Sequence, residues 1–571
     1  MGNSAADLVI VNGKVITVNQ NFEIASAVAV KDGRIVAVGD NDDVKTLITP
    51  ATEVIDLDGQ TMLPGINDSH MHAPFFGATR PPLALDLSFP QVQSIGDIVE
   101  AVRVKTAEVE PGEWIRGFGW DQGSLEECKN DPSMFPRGSD IDPVSPDNPV
   151  ILTDFSGHTI LVNHKALELA GITSDTEPPS GVIERDAGGK ATGIFLELGA
   201  QALVTQFVPI LTREEKKEAL LSAIGHLSAN GITSFTDAAI GPGGEAYAYG
   251  VMSAEFIDIY RELLDGGQLA ARATILILLG DYGALNYDDL KKGLESFPIP
   301  RDTDPEWLNF PGIKLFADGI PLTYTSWMNE DYISGDFGHG VSVLPGETDE
   351  EQRANLIRMI KLVHNYGHQI AVHATGDRAI DATVDGYVEA LAEKPGGDPR
   401  HYVVHGDFIS PEACQKLAGI KGGVAMQPTI EAMISDFDPA VVGDERAAYE
   451  WPTRTAIDSG LNLTSSSDAP ITVPNWRLGV ENAVLRESLV SGTVSGPEER
   501  ISVEEAIRSY TINGAWQDHQ EDVKGSIEVG KVADFCVIDK DILTVDPHEI
   551  KTIGVVKTIV GGKVVYEASG E

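Results

Sequence analysis

The segment TMLPGINDSHMH, residues 61–72, combines a short apolar run with two histidines at its end. His70 and His72 are two residues apart, and side chains at that spacing lie on the same face of a β-strand. Imidazole nitrogens are common zinc ligands. The segment therefore predicts a strand that carries a pair of metal ligands at its C-terminal end.

Seven further short apolar segments follow, and the stretches between the later ones have helical character. They are GITSFTDA (231–238), ARATILILLG (271–280), PGIKLFADG (311–319), HQIAVHATG (368–376), HYVVHGD (401–407), GGVAMQP (422–428) and LNLTSSSDAP (461–470). Apolar spacing predicts a helix over 349–366, and Ser410-Pro411 is typical of a helix start. Eight alternating strands and helices predict a (β/α)8 TIM-like barrel, an α/β fold whose site lies at the C-terminal ends of the strands.

Both ends of the chain are rich in short apolar segments joined by turn residues. Turns with positive φ at both central residues are favoured at Asn12-Gly13, Asp32-Gly33, Asp58-Gly59 and Gly561-Gly562. Segments of matching character at the two ends predict one small β-sandwich assembled from both of them.

The same pattern sets the predicted domain bounds. We expect a composite β-sandwich domain of residues 1–62 plus 520–571 and a barrel domain over 63–519. The gap between the first two barrel strands is far longer than a normal crossover, which predicts an insertion over 80–210. An ordered insertion at the first barrel loop would act as a lid or a substrate wall.

Further candidate ligands end other barrel strands. His373 follows QIAV, His405 follows HYVV and Asp468 follows LNLTSSS. Strand ends of a barrel meet at one rim, so these side chains predict one metal site. Lys314 lies inside GIKLFADG, where an inward ammonium is costly without a partner. Two interpretations stay open: the side chain points outward, or its amine has become a carbamate ligand by reaction with carbon dioxide.

Four other side chains are candidates for substrate binding: Trp120, His158, Trp327 and Arg378. Each also has a structural interpretation. The two tryptophans could be core aromatics, and Arg378 could pair with a neighbouring aspartate.

Composition limits the possible partners. Asp and Glu number 87 against 42 Lys and Arg, for a formal net charge of -45, which disfavours nucleic acid and anionic membrane surfaces as partners. A solvated acidic surface and a cationic substrate are both compatible with it. The three cysteines form no C-x-x-C pair, and the N-terminal segment lacks a signal-peptide pattern. A cytoplasmic protein is expected, with a homodimer as one open arrangement.

The motifs together resemble a known family. INDSHMH after Pro64-Gly65 is similar to the PG-hydrophobe-x-D-x-H-x-H signature of the amidohydrolase superfamily. Nearly the whole chain resembles its YtcJ-like branch, which includes N-substituted formamide deformylase. The motifs that carry this likeness stand in the usual order: GFGWDQ, FSGHTILVNHKAL, TGIFLE, GIKLFADG, HATGDRAID, HGDFISP and SSSDAP.

The resemblance implies roles for the candidate ligands. The site would hold one or two zinc ions. His70 and His72 would bind the more buried ion, and His373 and His405 would bind the second. Lys314 would be a carboxylated bridging ligand. Asp468 would complete the site and move protons.

The implied activity is hydrolysis of an amide or formamide C–N bond, other than a peptide bond, in a small molecule by a metal-activated hydroxide. A cyclic amidase or deaminase on the same barrel, an ester or phosphoester hydrolase, and a non-catalytic scaffold without metals are alternatives. Three stretches depart from the branch's pattern, so no relative's exact substrate is transferred. They are Asp318-Gly319-Ile320, Ser156-Gly157-His158 and Val404-His405-Gly406-Asp407.

Overall fold

A computed structural model describes most of the chain. The described residues are 5–89, 91–130, 134–155, 157, 159–178, 181–196, 198–245, 247–280, 286–333, 335 and 337–569. By its internal contacts the chain divides into two compact units. The first comprises Met1–His72, Ile224–Glu245 and Met252–Glu571, and the second comprises Ala73–Ala223 and Ala246–Val251.

The first unit contains one sheet of eight strands, each paired in parallel with the next. Ser69 Oγ of the first strand donates to Ser465 O of the last at 2.9 Å, which brings the two edges together. The predicted TIM-like barrel is therefore confirmed. Its strands are β1 Ile66–Met71, β2 Ile232–Ile240, β3 Arg272–Ile277, β4 Leu308–Phe316, β5 Gln369–Ala374, β6 Tyr402–His405, β7 Gly423–Met426 and β8 Asn462–Ser465.

Helices connect the strands as the sequence predicts. The predicted helix over 349–366 is Asp349–Asn365, where the Thr348 side chain accepts from Glu351 N. Ser410 likewise accepts from Ala413 N at a helix start. Other helices of this unit are Asn41–Lys45, Glu255–Asp265, Tyr287–Ser296, Asp377–Glu393, Pro411–Gly419, Pro428–Ile434, Asp438–Val442, Asp444–Tyr449, Thr453–Asp458, Trp476–Leu485, Val503–Ser509 and Ile512–Gln517.

Buried polar contacts join the segment after the helix Ile512–Gln517 to the first two barrel strands. Asp518, which follows the helix Ile512–Gln517, accepts from Asn67 Nδ2 and Thr236 Oγ1, both at 3.0 Å, and pairs with Lys524 at 2.7 Å. These partners satisfy a carboxylate that is only 1% exposed. These contacts hold β1 at its second residue and β2 at its middle residue.

Strands from both chain ends pack as two sheets around one core, as expected for the composite sandwich. The core includes Ile10, Val28, Met62, Phe535 and Ile559. The six-stranded sheet contains Ile24–Ala25, Lys14–Ile16, Thr61–Pro64, Phe535–Ile538, Val555–Val560 and Lys563–Glu567, and the four-stranded sheet contains Arg34–Gly39, Ala27–Lys31, Leu8–Val11 and Glu53–Asp56.

One of the predicted turns is wrong. Both central residues have positive φ at Asp32-Gly33, Asp58-Gly59 and Gly561-Gly562, but at Asn12-Gly13 only Asn12 does. The segments on either side of Asn12-Gly13 do not form a hairpin because they belong to different sheets. The chain crosses between the two layers of the sandwich at this point.

The second unit is built on a six-stranded sheet with an apolar core on each face. Its strands, in sheet order, are Val182–Arg185, Ala191–Leu196, Thr159–Val162, Val150–Asp154, Ile115–Trp120 and Leu85–Asp86. Its helices include Ala73–Ala78, Ile95–Thr106, Glu126–Asn130, Gly138–Ile141, His164–Leu169 and Leu198–Thr205. The helix Arg213–Ala229 begins in this unit and ends in the first. The role of the insertion as a lid stays a prediction.

Among the described residues, no helix is long and apolar enough to cross a membrane.

Candidate metal centre

The C-terminal rim of the barrel brings together side chains from several strands. His70 lies on β1, and its Nε2 is 3.3 Å from Asp468 Oδ1 in the loop after β8. His72 Nε2 is 3.5 Å from the same oxygen. One ligand atom each from His70, His405 and Asp468 lie within 4.8 Å of one another, and all three residues are buried. A metal ion could be held by this group.

Two further predicted ligands lie beside this group. The rings of His373 and His405 are 4.5 Å apart between centroids. Lys314 is 1% exposed, and its amine interacts electrostatically with His70, His373 and Asp468, so the outward-pointing interpretation is excluded. Its amine contacts the face of Phe316 at 5.0 Å from the ring centroid, and no carboxylate of the described residues lies within ion-pair distance of it.

The backbone is strained at two of the candidate ligands. His405 has φ 73° and Asp468 has φ 52°, in the left-handed region that non-glycine residues rarely adopt. Hydrogen bonds hold both turns, since Asp468 N donates to His70 O at 2.9 Å and Gly406 N donates to Ala374 O at 3.1 Å. Such strain persists where surrounding contacts enforce it, and it is concentrated at functional sites.

Hydrogen bonds fix the tautomers of two histidines. Gln427 donates its amide to Ala425 O at 3.0 Å and to Ser466 Oγ at 2.9 Å, so its Oε1 must accept from His405 Nδ1 at 2.8 Å. His405 Nε2 is then left with its lone pair. His373 donates Nε2–H to Gly319 O at 2.9 Å, which leaves its Nδ1 free. Each imidazole therefore presents a bare nitrogen, as a metal ligand must.

Burial keeps these imidazoles neutral. It lowers the pKa of His70 to about 3 and that of His373 to about 4, and it lowers the pKa of His405 well below its usual value. Burial also lowers the pKa of Lys314 to about 7. A neutral amine is the form that reacts with carbon dioxide, so the environment suits a carbamate.

Asp468 stays ionised despite its burial. Burial by itself would raise the pKa of this carboxyl, but the neighbouring His70 and His72, whose Nε2 atoms lie 3.3 and 3.5 Å from Oδ1, hold it well below the usual range. Among the described residues, Asp468 Oδ1 and the Nδ1 atoms of His70 and His72 are buried and have no hydrogen-bond partner. Buried polar atoms are normally satisfied. These residues therefore fit a bound divalent cation.

Sequence reasoning missed the residues that support the ligands. Besides Gln427, Asp318 is fully enclosed and accepts from Gly376 N at 2.8 Å and Trp327 N at 2.9 Å. Asp68 accepts from Ser467 N and Oγ, at 3.0 and 2.6 Å. A signal for Asp318 was its position just past the strand Leu308–Phe316, which carries the predicted ligand Lys314.

The substrate-binding candidates have other partners. Trp120 is buried in the core of the second unit and donates Nε1 to Leu152 O at 3.0 Å. Trp327 is buried and donates Nε1 to Asp349 at 3.1 Å, and Arg378 forms an ion pair with the same aspartate. His158 lies outside the described residues. Internal partners favour structural roles for Trp120, Trp327 and Arg378, and their contact with substrate stays a prediction.

Comparison with known proteins agrees with this geometry. A sequence model of the amidohydrolase family matches residues 53–566. YtcJ of Bacillus subtilis (strain 168), whose provisional name is that of an amidohydrolase, is 31% identical over 98% of this chain and 99% of its own. N-substituted formamide deformylase of Arthrobacter pascens is 29% identical over 99% of both chains.

A solved structure has the same fold. The crystal structure of an uncharacterised metal-dependent hydrolase from Pyrococcus furiosus superimposes with a TM-score of 0.71 at 25% identity, and covers 94% of this chain and 100% of that one. The family match extends over most of the chain and includes every candidate ligand. The chain belongs to the amidohydrolase family.

Proposed function

We propose that the protein is a metal-dependent hydrolase that cleaves an amide or formamide C–N bond, other than a peptide bond, in a small molecule. The observation that carries this proposal is the convergence of His70, His405 and Asp468 within 4.8 Å at the barrel rim. The similarity to N-substituted formamide deformylase supports the choice of bond. That relative's substrate is not transferred further.

The candidate ligands would hold one or two zinc ions. His70 and His72 would hold one ion, and His373 and His405 the other. Lys314, as a carbamate, would supply oxygens to both. When bound, zinc lowers the pKa of a coordinated water from ~15.7 to about 7 and polarises a carbonyl group.

Asp468 is the residue that would move the proton. Its carboxylate is ionised at neutral pH, and Oδ1 has no hydrogen-bond donor of its own, so it can accept a proton from water. The same carboxyl can then donate that proton to the leaving nitrogen. General acid–base transfer of this kind contributes about 10²–10⁴-fold to the rate.

His405 and His373 would hold their positions through this step. Gln427 fixes the His405 ring and Gly319 O fixes the His373 ring, which leaves His405 Nε2 and His373 Nδ1 as the nitrogens available to a metal ion. The side chains of His70, His72, His373 and Asp468 are at most 15% exposed, and His405 is buried. This burial limits bulk water around the reacting atoms.

A substrate panel tests the proposal. The protein, purified without chelator and supplemented with zinc, would be assayed for amine release from N-substituted formamides, N-acyl amines, cyclic imides and N-acyl amino acids. We expect hydrolysis in the open-chain amide or formamide group. Turnover of only the cyclic imides would favour the cyclic amidase instead. A zinc-loaded protein that hydrolyses none of these C–N bonds would contradict the proposal.

A further inference from the structure

A buried tryptophan beside the metal centre, Trp451, has no part in the chemistry proposed above. It lies in the short link between the helices Asp444–Tyr449 and Thr453–Asp458 and is 2% exposed. Its ring meets the His405 ring edge-on, at an interplanar angle of 86° and with 6.4 Å between the centroids. Edge-on aromatic pairs at such a separation attract one another. Trp451 is therefore a direct neighbour of a candidate metal ligand.

The backbone at Trp451 is strained. Its φ is 57°, in the left-handed region, where a bulky side chain is a true outlier. Pro452 follows, and a residue before proline normally adopts an extended conformation. Such strain persists only where surrounding contacts enforce it, and it is concentrated at functional sites.

Three hydrogen bonds hold the backbone of Trp451 in this conformation. Its nitrogen donates to Asp407 O at 2.8 Å. Its carbonyl oxygen accepts from Thr453 N at 2.8 Å and from Arg486 Nη1 at 2.9 Å. Asp407 is two residues after His405, whose own φ is 73°. The first of these bonds thus joins two strained segments, one of which carries a candidate ligand and the other the ring beside it.

The hydrogen bond to Gln427 does not by itself fix the plane of the His405 ring. It holds one corner of the imidazole, with Nδ1 at 2.8 Å from Gln427 Oε1, and lets the ring pivot about that corner. Among the described residues, the other aromatic rings in contact with His405 are those of His70 and His373, at 5.5 and 4.5 Å between centroids. Both are candidate ligands themselves. Trp451 is the aromatic neighbour that can limit the pivot without binding the metal.

The indole nitrogen takes no part in holding the Trp451 ring. Within the described part of the chain, Nε1 is buried and has no hydrogen-bond partner. Packing and the three backbone contacts therefore hold the ring in place. An aromatic ring without the nitrogen should serve the same purpose, which separates a role of the ring from a role of the N–H group.

We propose that Trp451 is a positioning residue for His405, whose imidazole it holds at the angle that presents Nε2 to the metal ion. This inference rests on the proposed function for the presence of that ion. Groups that orient a ligand histidine typically contribute about 10–100-fold to metal affinity.

Zinc affinity, measured by competition with a chelator, tests this role without any turnover. Trp451→Leu removes the aromatic ring, whereas Trp451→Phe keeps one. The matched control is Trp476→Leu, because Trp476 is also 2% exposed but donates Nε1 to Asn230 O, just before β2 begins. We expect Trp451→Leu to weaken zinc affinity at least about tenfold, and the other two variants to stay close to the wild type.

Cobalt-substituted samples give a second readout, because the visible spectrum of Co²⁺ reports the geometry of its ligands. Trp451→Leu should change that spectrum, and Trp451→Phe should preserve it. Three outcomes would overturn the inference: wild-type zinc affinity in Trp451→Leu, an equal loss in Trp476→Leu, or an equal loss in Trp451→Phe. Trp451→Met replaces Trp451→Leu if the latter does not fold.

The inference and the proposed function can fail separately. Zinc affinities that follow the expected pattern, without hydrolysis of any amide, would refute the proposed function alone. Amide hydrolysis by a wild type whose zinc affinity does not depend on the Trp451 ring would refute this inference alone. A wild type that binds no zinc would overturn both.

Discussion

Removing the Arg272 side chain should cost the protein about 3–5 kcal/mol of unfolding free energy, the usual effect of breaking a buried ion pair on one side. Arg272 begins β3, and Asp534 precedes the strand Phe535–Ile538 of the terminal sheet. Nε and Nη2 meet the two carboxylate oxygens at 2.7 and 3.1 Å, and both side chains are at most 4% exposed. The pair joins the barrel to the composite sandwich.

Arg272→Met keeps much of the apolar stem and leaves the Asp534 carboxylate buried without its partner. The guanidinium also donates to Glu306 O at 3.0 Å and lies 4.3 Å from the centroid of Trp307, so those contacts are lost too. Urea unfolding followed by tryptophan fluorescence and far-UV circular dichroism would measure the change. Adding Asp534→Asn should recover part of the loss, because it removes the orphaned charge.

The Arg34–Glu306 pair is the matched control. It also joins the sandwich to the loop before β4, but its side chains are 38% and 32% exposed. Exposed pairs contribute about 0–1 kcal/mol, so Arg34→Met should have little effect. Equal losses in Arg272→Met and Arg34→Met, or a loss below about 1 kcal/mol in Arg272→Met, would refute the reasoning.

Three further predictions concern the site and the pH dependence of stability. Gln427→Leu should weaken zinc affinity about 10–100-fold, because the His405 ring loses the acceptor that orients it. Competition with a chelator measures the zinc affinity, and an unchanged affinity would contradict the prediction. Asp468→Asn should lower kcat by about 10²–10⁴-fold on any amide that the wild type hydrolyses, while the zinc content stays largely intact. Near-normal turnover would contradict the role of Asp468 in proton transfer. The hydrogen bond from Arg454 lowers the pKa of Glu505 from 4.5 to about 2, so its stabilisation is present above pH 4.5 and is lost as pH falls toward 2. Glu505→Gln should accordingly lower Tm at pH 7 and lower it less at pH 3.5; a difference that does not shrink would count against this.

The barrel could be predicted because each strand is a short apolar run that ends at a polar residue. Strand bounds were less accurate. The fourth strand is Leu308–Phe316, whereas the sequence predicts a start at Pro311, because a proline usually marks a strand end. The eighth strand ends at Ser465, so Asp468 lies in a loop and not on the strand.

The candidate ligands could be predicted because strand ends of a barrel share one rim. The direction of the Lys314 side chain could not, since alternation permits either face until the register is known. Gln427 was also out of reach, because its role depends on the hydrogen bond that sets a tautomer.

The most direct test of the metal centre is the zinc content of the purified protein. Mass spectrometry of acid-digested samples would compare the wild type with a His70→Asn, His405→Asn double variant. His548→Asn is the control. That histidine is 59% exposed, pairs with Glu487 and lies well after the last barrel strand in the sequence. We predict at least one zinc ion per chain in the wild type and the control, and a large loss in the double variant. A wild type that retains no more zinc than the double variant would contradict the account.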